Sequence, residues 1–181
     1  GMEVFPTQII LESAADALPI IREGIPATKK KAAVERSAID SRLDYRWIDL
    51  RTERNQLIFK AQTVLAKALR DFLLERNFLE IHTPKLIGAA SESGSDVFAV
   101  KYFDTTAYLA QSPQFYKQMA MASGFERIFE VGPVFRAEKS YTSKHTTEFT
   151  GFDLEFSYIT SFRDVMKMEE DLLTYALGKV K

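Results

Sequence analysis

The sequence predicts an α+β fold in which an antiparallel sheet is flanked by helices. One long amphipathic pattern precedes several short strand patterns, and short turns join consecutive strands, which implies antiparallel pairing. The chain has 181 residues, of which 46% are hydrophobic and 27% are charged. These fractions are typical of a folded domain that can bury a core.

Three helices are predicted. Apolar residues recur over 52–76 with the period of about 3.6 residues that marks an amphipathic helix. A second helix is predicted over 113–123, with Ser112 as its N-cap and Pro113 at its first position, where a missing N–H is tolerated. The sequence SFRD that begins at Ser161 is similar to a capping box, so the last helix starts there and runs to the end of the chain.

The strands begin after Asn77, which can end the first helix in a left-handed conformation. The first strand, 79–83, stops at Pro84, because proline cannot donate to a ladder. A weaker strand candidate lies at 7–11. The other strands are predicted over 97–102, 107–111, 128–137 and 149–158, with a tight turn at Asp104 and Thr105 between the first two of these.

Residues 1–40 differ in character from the rest of the chain. Residues 14–24 show no clean period, and 29–40 alternate basic and acidic side chains. We therefore interpret 1–40 as a linker and the remnant of an N-terminal domain. Gly1 and Met2 resemble the scar of a cleaved expression tag. The lysine triplet at 29–31 is weak support for a nucleic-acid patch and is better explained as the solvated face of a linker or short helix.

Composition excludes several classes of function. The net charge is -1, from 24 basic and 25 acidic residues, which excludes a wholly basic surface for non-specific nucleic-acid binding. The absence of cysteine excludes disulfides, zinc–thiolate sites and thiol chemistry. No apolar stretch approaches the roughly 20 residues of a membrane span, and no N-terminal signal is visible. A cytoplasmic protein that does not enter a membrane is therefore predicted.

The two strands that flank residues 139–146 have a charged face and an aromatic face. Because side chains alternate along a strand, Arg136 and Glu138 share the charged face with Asp153 and Glu155. Gly151, at the head of that face, leaves a gap that a ligand could enter. A solvent-exposed sheet would show the same alternation, so both interpretations stay open at this point. The opposite face, expected to pack on helices, carries Phe135, Ala137, Phe152, Leu154, Phe156 and Tyr158.

Three further segments carry candidate binding groups. The loop KSYTSKHT at 139–146 supplies two lysines, five hydroxyls and His145 beside Arg136, which suits a polyphosphate. Gln114 and Lys117 share the first turns of the second predicted helix, where a carboxylate ligand is favoured. The loop SESGS at 91–95 could close over a ligand. Taken singly, the loop at 91–95, the Gln114 and Lys117 pair, and His145 are better explained as an ordinary loop, a capped helix start with surface charge, and a surface histidine.

These features together resemble the class II aminoacyl-tRNA synthetases. The helix, strand and proline unit that ends at Pro84 resembles their motif 1, and VFRAE at 134–138 followed by Phe149 resembles their motif 2. The similarity is closest to the eukaryotic and archaeal type of aspartyl-tRNA synthetase and runs from about Ser41 to the end. It lies in RLD at 42–44, WIDLR at 47–51, PKLI at 84–87, SESGS at 91–95, AYLAQSPQ at 107–114, YKQ at 116–118, GPVFRAE at 132–138, His145, TEF at 147–149 and DLE at 153–155. The resemblance implies that 1–40 contain a linker and the remnant of an N-terminal anticodon-binding domain.

The resemblance implies roles in ATP binding for four residues. Arg136 would bridge the substrate carboxylate and the α-phosphate of ATP and act as the catalytic residue. Glu138 would contact the adenine end, His145 the distal phosphates, and Phe149 would stack on the adenine. The tRNA acceptor end would arrive at Ser140.

The resemblance also implies an amino-acid pocket and a homodimer interface. Lys117 would face the side-chain carboxylate of aspartate, with acidic groups holding the substrate ammonium, and Pro84 would lie at the dimer interface. Ser93 departs from the family pattern, which usually has glycine there. The pocket would consist of Ser91, Glu92, Gln114, Lys117, Arg136 and Asp153.

The implied activity is ligation of L-aspartate to tRNA(Asp) through an aspartyl-adenylate made from ATP, a step of protein biosynthesis. The same resemblance implies a cytoplasmic homodimer that uses ATP with Mg²⁺. Two alternatives stay open: a tRNA-independent aspartate-activating enzyme of the asparagine synthetase type, and a non-catalytic dimerisation module.

Motif 3 of the class II family has no equivalent in the sequence. The main Mg²⁺ ligands and the arginines for the γ-phosphate and the substrate side chain are likewise expected outside the chain, so no metal ligand is assigned within it. We therefore expect 41–181 to be the N-terminal part of the catalytic domain, incomplete at its C-terminal end. As a fragment, it is expected to be inactive by itself.

Overall fold

A computed structural model describes residues 3–22, 35–90, 96–139, 142 and 144–180. The described residues fall into two compact units, Gly1–Gln62 and Thr63–Lys181. The lysine triplet at 29–31 lies outside the described residues. The helices are α1 (Ile39–Asp44), α2 (Arg46–Asp49), α3 (Glu53–Leu74), α4 (Gln114–Ala122) and α5 (Phe162–Lys179). The strands are β1 (Leu79–Glu80), β2 (Leu86–Ile87), β3 (Ala99–Tyr102), β4 (Thr105–Leu109), β5 (Arg127–Phe135) and β6 (Glu148–Phe156).

The first unit is organised around the buried carboxylate of Asp49. Arg36 and Arg46 approach it to 2.8 and 2.6 Å, and Arg42 to 3.6 Å. Burial by itself raises the pKa of Asp49, but the Arg36 hydrogen bond and the three guanidinium charges outweigh it and hold the pKa below its ordinary value. The amide of Asn55, in the first turn of α3, donates to the Asp49 carbonyl at 2.7 Å. The strand predicted at 7–11 is not present, and those residues are exposed.

The second unit contains two three-stranded sheets, and its mixture of helices and sheets confirms the α+β fold class. One sheet has the order β1-β5-β6 and the other the order β2-β4-β3. All neighbours pair antiparallel except β1 and β5, which are parallel. A parallel pair needs a long crossover, and the second sheet and α4 lie between β1 and β5 in the chain.

Several predicted strand boundaries differ from the observed ones. Strand β1 covers only the first two residues of the predicted 79–83, and β4 lies two residues earlier than the predicted 107–111. Strand β2 begins two residues after Pro84 and was not predicted. The turn between β3 and β4 consists of Phe103 and Asp104, because Tyr102 pairs with Thr105. This turn lies one residue earlier than predicted. Phe103 has φ 51°, which lets the turn close within two residues.

The three predicted helices correspond to α3, α4 and α5 to within two residues at each end, whereas α1 and α2 were not predicted. Pro113 is the N-cap of α4, a position that was predicted for Ser112, because the Pro113 ψ of 14° is not helical. Asn77 has the predicted left-handed conformation, with φ 61°. The capping box at the start of α5 is confirmed: Ser161 accepts from the Arg163 N–H, and Asp164 accepts from the Ser161 N–H.

The core of this unit lies where the aromatic face of β5 and β6 packs on α3 and α5. Phe129 and Leu73 are fully buried there, which confirms the predicted orientation of the two strands. Tyr158 was assigned to the same face, but it is 86% exposed. Its φ of 60° breaks the alternation after β6 ends. The buried cluster is Ala68, Leu69, Phe72, Leu73, Phe78, Phe129, Leu172 and Ala176.

Candidate active site

The face of β5 and β6 that points away from the core carries the charged groups. Glu130 pairs with Asp153 in the register, so the two side chains share this face. Glu155 follows two residues later and points the same way. The next pair on the face consists of Gly132 and Gly151, which have no side chains.

Lys117 is a buried cation on this charged face. It lies on α4 with its side chain 6% exposed, and its Nζ is 3.4 Å from both Asp153 Oδ1 and Glu155 Oε2. The ammonium also reaches the Leu154 carbonyl oxygen at 3.5 Å. A buried ammonium needs compensating partners. Here the single Lys117 ammonium compensates two carboxylates, and both contacts are long. The structure thus brings together Lys117 and Asp153, both predicted pocket residues.

Gly151 does provide space on the charged face, but the carboxylate of Asp153 occupies it. A Cβ added to Gly151 would lie 2.9 Å from Asp153 Oδ2, closer than ordinary van der Waals contact. The sequence suggested that a ligand could enter this gap. In the structure the glycine instead lets a neighbouring carboxylate lie close to the strand.

Arg136 and Phe149 meet where β5 and β6 lead into the connecting loop. The Arg136 guanidinium carbon lies 5.6 Å from the centroid of the Phe149 ring, within the range of a cation–π contact. The Arg136 N–H donates to the Thr147 carbonyl at 3.0 Å, which continues the strand pairing past β5. Phe149 remains 39% exposed, so part of its ring is available for stacking.

Glu130 is the most enclosed acidic group of the charged face. Its side chain is 3% exposed and pairs with Lys85 Nζ at 2.8 Å. The Thr83 N–H and hydroxyl donate to it at 2.9 and 2.7 Å. Burial by itself raises the pKa of Glu130, but the hydrogen bonds from Lys85 and Thr83 outweigh it and lower the pKa below its ordinary value.

The remaining predicted site residues differ in their exposure. Gln114 is half-buried at the start of α4, one turn before Lys117. Glu138 and His145 are exposed, and His145 Nδ1 is 2.6 Å from the Thr142 hydroxyl of its own loop. Pro84 is also exposed. Ser91, Glu92 and Ser140 lie outside the described residues, so their predicted roles remain predictions.

Neither a cluster of metal-ligating side chains nor a membrane-spanning helix is present in the described ranges. No group of three or more His, Asp or Glu side chains there could hold a metal ion. No helix in the same ranges has the length and apolar character needed to cross a membrane.

Comparison with known proteins identifies the family. Residues 38–181 match the family model described as tRNA synthetases class II (D, K and N). The chain belongs to this class II family. The match includes the charged face, Lys117 and the Arg136–Phe149 contact.

Individual class II relatives are similar over most of the chain. The aspartate–tRNA(Asp/Asn) ligase of Methanopyrus kandleri is 48% identical over all of the chain and 40% of its own length. A crystal structure described as an aspartyl-tRNA synthetase from Leishmania major Friedlin is 40% identical with TM-score 0.80, covering 91% of this chain and 31% of that one. Asparaginyl-tRNA synthetase from Pyrococcus horikoshii, solved with asparaginyl-adenylate, is 38% identical with TM-score 0.75, covering 80% and 33%. The chain thus spans about 40% of the length of the curated class II relative it matches.

Sequence reasoning missed Glu130 and Lys85 in this class II domain. Glu130 lies within the predicted strand 128–137. Even-numbered residues of that strand share one face, so the alternation that placed Arg136 on the charged face also places Glu130 there. Lys85 carries no comparable signal. It follows Pro84 in an irregular segment, and only the fold brings it to β5.

Proposed function

We propose that the protein to which this chain belongs ligates L-aspartate to tRNA(Asp) through an aspartyl-adenylate made from ATP. The observation that carries the proposal is the buried Lys117 ammonium, which Asp153 and Glu155 hold at 3.4 Å on the charged sheet face. The family match and the names of the curated relatives support the same activity.

In this proposal Lys117 selects the side chain of the substrate. An aspartate carboxylate is a charged partner for the enclosed ammonium, whereas the amide of asparagine would leave the cation poorly compensated. Asp153 and its acidic neighbours hold the substrate ammonium. Ser91, Glu92 and Gln114 complete the pocket.

Arg136 and Phe149 form the ATP subsite together with Glu138 and His145. Phe149 stacks on the adenine, Glu138 contacts the adenine end, and His145 contacts the distal phosphates. Arg136 bridges the substrate α-carboxylate and the α-phosphate. Its planar guanidinium suits both anions.

The chemistry requires positioning and charge stabilisation more than proton transfer. The α-carboxylate oxygen bonds to the α-phosphorus as the bond to diphosphate breaks, and Arg136 stabilises the charge that develops. A ribose hydroxyl at the tRNA 3′ end, brought in near Ser140, then attacks the acyl carbon, and AMP leaves. Mg²⁺ would accompany ATP, but the described residues do not bring a ligand set together.

The assembly is proposed to be a cytoplasmic homodimer. Apolar side chains on α3 support an interface, because Leu57 is 64% and Ile58 58% exposed. Pro84 is assigned to the interface on the resemblance to motif 1. Sedimentation equilibrium of the full-length protein tests this assignment, and a monomer at micromolar concentration would contradict it.

The decisive experiment is aspartate-dependent exchange of diphosphate into ATP, with tRNA charging as a second readout. The protein expressed from its complete gene is expected to exchange with aspartate but not with asparagine. It is also expected to charge tRNA(Asp). Exchange driven by asparagine would contradict the specificity, and exchange without tRNA charging would favour a tRNA-independent aspartate-activating enzyme. The 181-residue chain, assayed in parallel, is expected to show no exchange.

A further inference from the structure

Glu130 and Lys85 form an enclosed ion pair close to the proposed amino-acid subsite. Their charged atoms are 2.8 Å apart, and the two side chains are 3% and 21% exposed. Thr83 links them: its hydroxyl donates to Glu130 at 2.7 Å and accepts from Lys85 Nζ at 3.0 Å. The charge of the buried carboxylate is therefore neutralised within the cluster.

The Lys85–Glu130 pair affects Asp153 because Glu130 and Asp153 are neighbours across two strands. The two residues lie directly opposite each other in the β5–β6 register, and like charges at such positions repel. Asp153 already shares the Lys117 ammonium with Glu155. In these ion pairs two lysines face three carboxylates, so losing one lysine charge leaves a further carboxylate without compensation.

A backbone hydrogen bond and the space beside Gly132 together fix the position of Lys85. The Lys85 carbonyl accepts from the Ala110 N–H at 2.9 Å, at the end of β4. Gly132 leaves room for the side chain, because a Cβ there would lie 3.3 Å from Lys85 Cε and 3.4 Å from Glu130 Oε1. The ammonium is thus directed to Glu130 by contacts at both ends of the lysine.

We propose that Lys85 and Glu130 are positioning residues of the amino-acid subsite. Lys85 neutralises Glu130 and so keeps Lys117 available to Asp153 and to the side-chain carboxylate of the substrate. Without the Lys85 charge, Glu130 competes for the Lys117 ammonium and weakens aspartate binding. Without the Glu130 charge, the subsite gains positive charge, which favours the acidic substrate. This inference rests on the proposed function.

The test measures KM for aspartate and for ATP, with kcat, in the exchange reaction of the full-length protein. Lys85→Met is expected to raise the aspartate KM roughly tenfold, an effect in the range of coupled ion pairs, and to leave the ATP KM close to that of the wild type. Lys85→Arg keeps the charge and is expected to restore most of the affinity. Glu130→Gln can still accept from Thr83 and is expected to lower the aspartate KM. The double variant Lys85→Met/Glu130→Gln is expected to recover most of the loss.

Lys67→Met is the matched control, because Lys67 pairs with Asp71 on an exposed face with its side chain 75% exposed. The inference is overturned if Lys85→Met and Glu130→Gln both raise the aspartate KM and the double variant is no better, since that pattern indicates a purely structural cluster. A parallel rise in the ATP KM has the same meaning. If Lys85→Met does not fold, as judged by circular dichroism, the sign of the Glu130→Gln shift decides. A wild-type protein without aspartate-dependent exchange overturns the proposed function and this inference with it, whereas an active wild type with same-sign shifts overturns this inference alone.

Discussion

The Lys117 ammonium is buried and lies at equal distance from two carboxylates, so neither carboxylate pairs with it exclusively. Each contact is 3.4 Å long, beyond the distance of a strong charge-assisted hydrogen bond. A third carboxylate, from a ligand, can therefore compete for the same ammonium. Removing a buried charge from such a cluster affects both the cluster and the ligand.

Lys117→Met is expected to lower aspartate-dependent exchange by about 100-fold, the factor that corresponds to one strong charged hydrogen bond. The loss should appear as a raised aspartate KM. Lys67→Met provides the control on an exposed surface. Unchanged aspartate KM in Lys117→Met would contradict the assignment of this cation to the substrate.

Gly151 is a second residue whose role depends on close approach. In Gly151→Ala the added Cβ meets Asp153 Oδ2 at 2.9 Å, so the carboxylate has to move. We expect a rise of roughly tenfold in the aspartate KM, the effect of displacing one subsite group. Gly178→Ala is the matched control, because a Cβ at Gly178 meets nothing within 4 Å. An equal aspartate KM in the two variants would show that Asp153 is not displaced or does not contribute to aspartate binding.

The packing of helices on strands determines which face of the sheet is available to a ligand. Strand β5 contributes Phe129 to the core and Glu130 to the charged face, and β6 contributes Leu154 and Asp153 in the same alternating way. Helices α3 and α5 cover the aromatic side. The charged face is therefore directed toward α4 and the segment that contains Lys85.

Phe129→Ala is expected to lower the free energy of unfolding by about 3–5 kcal/mol, the usual cost of removing a buried phenylalanine. Phe129 is fully buried, whereas Phe103 is 79% exposed. Phe103→Ala is therefore the control, with an expected change within about 0.5 kcal/mol. Urea denaturation followed by circular dichroism measures both. Similar losses in the two variants would contradict the position of the core.

At the scale of the whole molecule, enclosed carboxylates link stability to pH. Asp49 and Glu130 lie in different units, and the pKa of each is held below its ordinary value. The same is true of the exposed capping residue Asp164, through hydrogen bonds from Thr160 and Ser161. As the pH falls past the ordinary values of 3.8 for Asp and 4.5 for Glu, the unfolded chain binds protons before the folded chain does.

Stability is therefore expected to be fully present above about pH 5 and to fall as acid titrates these groups in the folded state. Urea midpoints measured from pH 7 down to pH 3 test this dependence. Glu130→Gln removes one of the titrating groups, so its midpoint should depend less on pH in the acid range. A midpoint that rises between pH 5 and pH 3 would contradict the assignment.

Local sequence determined much of this protein: α3, the capping box of α5, the left-handed Asn77, the two faces of β5 and β6, and the resemblance to class II synthetases. These features depend on spacings of a few residues, where periodicity and capping chemistry act directly. Tertiary structure alone decided the parallel pairing of β1 with β5, the presence of β2 and the Lys85–Glu130 pair. Glu130 and its partner Thr83 are 47 residues apart in the chain. Local propensity carries no information about contacts at that separation, because folding of the segments between them brings the groups together.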